Sequence, residues 1–150
     1  MQVLDFKITN FRSIVDSDWR KLSPDNVTVL IGQNESGKTS VLEALAKTFS
    51  GQDITDDDKR IGEPLPKVYL RVMLTKEDIE ELVRLLYEER YNGSQVEVLK
   101  KYLLDNQDPL EIMFYWDSSS TGEYEKSISV SGEKAGVLEN ILRKSLPEKD

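Results

Sequence analysis

Gly32-Gln33-Asn34-Glu35-Ser36-Gly37-Lys38-Thr39 fits G-x-x-x-x-G-K-[ST], the pattern of a loop that cradles phosphates. The pattern carries weight only between a buried strand and a helix, and both flanks read that way. Before it stands Val27-Thr28-Val29-Leu30-Ile31, β-branched and apolar on both faces, as in a strand covered on both sides of a parallel sheet. After it, residues 39–49 place Val41, Leu42, Leu45 and Phe49 at helical spacing, which predicts a helix with one apolar stripe.

Each residue type in the loop has a chemical reason. A triphosphate needs several donors that converge without competing side chains. Gly32 and Gly37 let the backbone turn tightly and come close to the phosphates. The first amides of the following helix are unpaired donors at the positive end of a dipole. Lys38 is a compact charge placed for the β- and γ-phosphates, and the Thr39 hydroxyl is placed to ligate Mg²⁺. The candidate contacts to ATP in this stretch are Gly32, Asn34, Glu35, Ser36, Gly37, Lys38, Thr39 and Ser40, with Thr39 as the metal ligand.

Bulk properties narrow the classes. A chain of 150 residues is long enough for a core of its own, and one domain over 1–150 is expected. No apolar run could span a bilayer, no signal-peptide pattern opens the chain, and cytoplasm is the expected location. With no cysteine and no histidine, disulfides, thiolate or imidazole metal sites and Ser-His-Asp chemistry are excluded. A formal charge of −8 argues against a general nucleic-acid-binding surface on this segment.

Along the chain, Leu4, Phe6 and Ile8 alternate with Asp5, Lys7 and Thr9, giving a strand over residues 1–11, and residues 14–19 read as a second strand. Ser23-Pro24-Asp25-Asn26 is a turn signal. Residues 51–67 form a loop, and its Asp56-Asp57-Asp58 run reads as solvated because the spacing is not that of a calcium loop. Val68, Leu70, Val72 and Leu74 predict a strand. Thr75-Lys76-Glu77-Asp78 predicts a capped helix with Ile79, Leu82, Val83 and Leu86 on one side. Asn92-Gly93 breaks that helix. Ser94-Gln95-Val96-Glu97 reads as the cap of the next, with Val96, Leu99, Tyr102 and Leu103 on its apolar side. Ile112 to Asp117 is a strand, Ser118-Ser119-Ser120-Thr121-Gly122 a hairpin loop, and Tyr124 to Val130 the returning strand. Ser131 is the expected cap of a last helix carrying Val137, Leu138, Ile141, Leu142 and Leu146.

Val3-Leu4-Asp5-Phe6-Lys7-Ile8-Thr9-Asn10-Phe11-Arg12-Ser13-Ile14, followed after a gap by the phosphate loop and Ser40-Val41-Leu42-Glu43-Ala44-Leu45, resembles the start of the ABC-type ATPases of DNA maintenance and defence. These include RecF, the SMC proteins and the overcoming-lysogenisation-defect (OLD) nucleases, and the acidic, short stretch after the first helix is most like the OLD group. The resemblance covers about the first third of the chain. It implies an α/β P-loop NTPase fold, namely the first lobe of an ABC-type ATPase head with an antiparallel β-subdomain. It implies ATP and Mg²⁺ as cofactors, a homodimer of heads, and DNA as a partner of the full-length protein. It also makes Arg12 and Ser13 candidate nucleotide contacts; the other reading of Arg12 is a surface charge at a strand end.

Other parts of such a site are missing. No Leu-Ser-Gly-Gly signature is present, and Val130-Ser131-Gly132-Glu133 is a poor substitute. Asp117 ends an apolar strand, but Ser118 follows where a catalytic Glu belongs. The expectation is therefore the amino-terminal portion of a longer ATPase. A nucleotide-binding regulatory module without turnover and another P-loop enzyme such as a small kinase are the alternatives. A GTPase is disfavoured by the lack of Asn-Lys-x-Asp.

Overall fold

The structure, a computed structural model, describes residues 2–21 and 35–145, with backbone alone for 35–38 and 142–145. The strand expected over 27–31 and the loop residues 32–34 lie outside the described residues.

Strand β1 (Gln2–Phe11) realises the expected alternation at Phe6 and Ile8, both buried, and Phe11 is buried out of step with it, after Asn10 at φ +55°. The chain turns at Arg12-Ser13 and returns antiparallel as β2 (Ile14–Asp16) and β3 (Arg20–Lys21). Thr9 faces Asp16 and Phe6 faces Arg20, so Ser17, Asp18 and Trp19 stand opposite only Lys7 and Ile8. This extra residue is a β-bulge, and it interrupts the strand expected over 14–19. Asp18 absorbs it at φ +55°. Ser17 repairs the ladder: its N–H donates to the Ile8 carbonyl at 2.9 Å and its Oγ accepts from the Ile8 N–H at 2.8 Å.

Strand β4 (Lys67–Met73) buries Val68, Leu70 and Val72. Strands β5 (Leu110–Ser118) and β6 (Tyr124–Ser131) are joined by the expected hairpin loop, where Gly122 takes φ +85° and its N–H donates to Ser119 at 3.1 Å. The strand order is β2-β1-β4-β5-β6, with β3 also on β1. The chain divides into two compact units.

One unit comprises Val3–Arg71 and Ile112–Ser129 and includes helix α1 (Glu35–Phe49). Its buried apolar side chains include Phe6, Ile8, Phe11, Val68, Leu70, Phe114 and Trp116. Here the structure corrects the sequence reading of α1. Leu42 and Phe49 of the expected stripe are 55% and 58% exposed, whereas Ser40, Ala44, Lys47 and Thr48 are buried. The inward face is polar because each buried polar group finds a partner. Thr48 Oγ1, for example, donates to the Ala44 carbonyl at 2.8 Å. At the far end of α1, Lys126 Nζ donates to the carbonyls of Lys47, Thr48 and Ser50 at 2.9, 3.1 and 2.6 Å. It satisfies acceptors that have no partner inside the helix.

The other unit comprises Gln2, Val72–Glu111 and the described part of Val130–Asp150. Helices α2 (Lys76–Glu88), α3 (Gly93–Asp105) and α4 (Ala135–Ser145) bury Ile79, Val83, Leu86, Val96, Leu99, Leu103, Leu138 and Ile141 in one cluster. Each such side chain is worth about 1.5–3 kcal/mol when fully buried, so packing holds these helices together. The capping box of α2 is present: Thr75 Oγ1 accepts from the Asp78 N–H at 3.1 Å, and Asp78 Oδ2 accepts from the Thr75 N–H at 2.8 Å. The cap of α3 is Asn92 rather than Ser94. Its side-chain Oδ1 accepts from the N–H groups of Ser94 and Gln95 at 3.1 and 3.4 Å, so the helix starts two residues earlier than Ser94 capping allows. Ser131 does not cap α4. It remains the last residue of β6, and α4 begins at Ala135, beyond the reach of its hydroxyl. Val137 is 48% exposed, while the side chain of Leu142 and all of Leu146 lie outside the described residues.

Lys126→Met should remove the cation from the end of α1 while keeping an unbranched stem. Because the Lys126 ammonium is only part-buried, a loss of about 1 kcal/mol follows, the ordinary net worth of a hydrogen bond. Thermal melting should show a fall of roughly 2–4 °C for a chain of this size. An unmoved midpoint would mean that water serves those carbonyls equally well.

Candidate functional site

Helix α1 starts at Glu35, inside the phosphate-loop motif. Residues 35–38 therefore form its first turn, whose backbone N–H groups have no acceptors within the helix. Thr39 is exposed and Ser40 is 96% buried, since its exposure is 4%. Gly32 and Asn34 lie outside the described residues, as do the side chains of Glu35, Ser36 and Lys38. The structure thus fixes where Gly37 and Lys38 sit along the helix, but not the loop before them.

The turn after β1 meets this helix. Ser13 Oγ lies 3.3 Å from Ser40 Oγ, which joins two candidates 27 residues apart. Arg12, beside Ser13, takes φ +52°, a left-handed conformation uncommon for an arginine. Asn10 takes φ +55°, which asparagine tolerates better. Such backbone persists only when its surroundings over-determine it. At Arg12 they do: the N–H donates to the Asp58 carbonyl at 2.7 Å, the carbonyl accepts from Arg60 Nη1 at 2.9 Å, and Nε donates to Asp58 Oδ1 at 2.9 Å. Arg12, at the end of β1 with its side chain 32% exposed, is thus paired with a buried acid. Among the described residues no hydrogen bond engages Nη1 or Nη2.

Asp58 is the partner that the sequence did not disclose. It was expected to be solvated, like Asp56 and Asp57, yet it is 0% exposed. Besides Arg12, its carboxylate accepts from Lys47 Nζ on α1 and, at 2.9 Å, from the N–H of Thr55. Lys47 is itself buried, with its ammonium on Oδ2 and Arg12 on Oδ1. One carboxylate thus ties the β1 turn, helix α1 and the 55–58 turn together. Lys47 carried a faint signal: with Ser40, Ala44 and Thr48 it repeats at helical spacing on the face that turns inward. In Asp58 nothing distinguishes the buried acid from its two exposed neighbours.

A family model described as the AAA ATPase domain matches residues 1–148. The chain belongs to the AAA ATPase domain family. No curated protein and no solved structure matches it. Membership in the AAA ATPase domain family brings nucleotide binding, typically with Mg²⁺, and the mixed α/β architecture with antiparallel pairing fits a P-loop NTPase-like fold. The described residues suit such a ligand. The opening turn of α1 has backbone N–H groups without acceptors inside the helix, as an anion site needs, and Thr39 offers an exposed hydroxyl oxygen, a hard donor of the kind Mg²⁺ takes. Among the described residues of this AAA ATPase domain, no helix is long and apolar enough to cross a membrane.

Burial pushes the Asp58 carboxyl up, but the bonds from Lys47, the Thr55 N–H and Arg12 outweigh it and hold the group below its ordinary value. A carboxylate depressed on folding stabilises the fold fully above its unfolded pKa of about 3.9 and loses that contribution as pH falls through the folded value. Asp58→Asn should therefore melt below the wild type at pH 7, with the gap narrowing below about pH 4. Melting curves of both proteins from pH 7 to pH 3 check this. A gap constant over that range would mean that the charge of Asp58 contributes nothing.

Proposed function

We propose that the chain is the ATP-binding portion of an ABC-type ATPase head acting in DNA maintenance or phage defence, most like the OLD nucleases. The observation that supports it best is the junction of the Arg12-Ser13 turn with α1 through Ser13 and Ser40. Two stretches that resemble that family separately meet at the start of the helix expected to hold phosphate. In this reading Gly32, Asn34, Glu35, Ser36 and Gly37 surround the phosphates with backbone donors, and Lys38 neutralises their charge. Thr39 ligates Mg²⁺, and Ser40 and Ser13 support the turn from which Arg12 reaches the nucleotide. The full-length protein would work in the cytoplasm as a homodimer of heads, with DNA engaged outside this acidic segment and a nuclease domain elsewhere.

A second reading is a nucleotide-binding module without turnover. It is favoured by the end of β5, where Asp117 is exposed and Ser118 occupies the place of a catalytic acid. Positioning water and stabilising a transferring phosphoryl group require more than a phosphate loop.

Lys38→Ala should weaken Mg-ATP binding at least tenfold in calorimetry, because a charge-assisted phosphate contact is worth about 1.5–3 kcal/mol. Unchanged affinity would overturn the phosphate-loop assignment.

Turnover separates the two readings. The 150-residue chain should hydrolyse ATP negligibly. A longer form of the protein should restore Lys38-dependent hydrolysis if the chain is part of an ATPase head, and should fail to do so if it is a regulatory module.

A further inference from the structure

We infer that Asp58 is a positioning residue for nucleotide binding: its buried carboxylate orients the Arg12 guanidinium against the phosphate-loop helix. The inference rests on the nucleotide-binding reading of the site.

Asp58 holds Arg12 in two ways. Its carbonyl takes the Arg12 N–H at 2.7 Å, and its Oδ1 takes Nε at 2.9 Å. The guanidinium is a rigid planar fork, so fixing the Nε edge sets the direction of the remaining Nη edge. Asp58 Oδ2 meanwhile binds Lys47, in the last turn of the helix that opens at Glu35. The same carboxylate therefore sets the arginine and the helix relative to each other. The Ser13–Ser40 contact at 3.3 Å is the visible result on the other side of the turn.

Stability alone is a poor explanation for such a group. Burying a carboxylate costs several kcal/mol before its partners offset it, and apolar replacements of buried ion pairs are often neutral or stabilising. What the network supplies that packing cannot is direction. Arg12 also sits in strained left-handed backbone, and strain of that kind is held where geometry matters. The side chain of Arg12 is 32% exposed with Nε held on Asp58, and its Nη donors are of the kind that a phosphate accepts from.

The test is a double-mutant cycle on Mg-ATP affinity, measured by calorimetry on the full chain, with melting of the nucleotide-free proteins beside it. Asp58→Asn alone leaves the Lys47 ammonium buried and unpaired, so the second background is Asp58→Asn/Lys47→Met, which removes both charges. Arg12→Ala in the wild type should weaken binding about three- to tenfold. The Asp58→Asn/Lys47→Met protein should show the same loss, and adding Arg12→Ala to it should cost nothing further. Arg12→Lys, which keeps a cation on the surface and spares the buried pair, should bind as weakly as Arg12→Ala, because its one nitrogen is spent on Asp58. The positioning role is overturned if Arg12→Ala has no effect in the wild type, if it costs the same factor in both backgrounds, or if Arg12→Lys binds like the wild type. Absence of ATP binding by the wild type would instead overturn the nucleotide reading itself, and this inference with it.

Discussion

A carboxylate taken wholly out of water must be met by charge and hydrogen bonds, and in this chain that demand falls on Asp58. Its partners come from Arg12, Lys47 and Thr55, which the sequence spreads over more than forty residues. Satisfying them fixes three things together. The turn after β1 must close tightly enough to bring Arg12 back. The loop before β4 must fold its acid inward, away from Asp56 and Asp57. Helix α1 must present Lys47 rather than Leu42 or Phe49.

The orientation of α1 follows from that requirement. An apolar stripe can shift slightly against a core, within the limits of close packing, since burial itself is not directional. A polar face cannot, because a buried donor or acceptor left without its partner costs about 1–3 kcal/mol, and more when it is charged. Ser40, Lys47 and Thr48 each have a named partner, and Lys126 holds the carbonyls at the last turn. Helix α1 is thus set in angle and in register by directional bonds at Ser40 and at its last turn. The three-helix cluster of the other unit shows the contrasting solution, a core of Leu, Val and Ile with polar groups confined to the caps.

That contrast explains what could be read from the sequence. Period-3.6 and period-2 patterns report burial of apolar side chains, and where apolar burial sets the structure they succeeded. The alternation around Phe6 and Ile8, the Val68-Leu70-Val72 strand, the Thr75 cap and the Ile79-Val83-Leu86 stripe all fold as expected. Where polar bonds decide, the pattern misled. Leu42 and Phe49 were expected on the packed stripe of α1 and face outward. Asn92 displaced Ser94 as a cap because both are good caps and local spacing alone could not choose between them. The phosphate motif and the Arg12-Ser13 turn could each be located, but their meeting depends on Asp58, whose burial is a long-range fact. The bulge at Ser17-Asp18 belongs to the same class, since a single inserted residue leaves no periodic trace.

The strain at Arg12 closes the chain of cause. A left-handed φ at a residue with a Cβ costs about 1–2 kcal/mol relative to the ordinary region. Glycine at that position would relieve the cost, and it would also remove the guanidinium that Asp58 needs on Oδ1. Relaxing the turn by moving Arg12 to an extended conformation would break its N–H bond to Asp58 and its carbonyl bond from Arg60. The backbone strain, the buried acid and the polar face of α1 are therefore one coupled arrangement, in which each member is tolerable only because the others are present. In such an arrangement α1 is held against the turn after β1 by directional bonds at Ser40 and Lys47. That is the property a site needs when its ligand is a small, highly charged group that must be met by several donors at fixed distances.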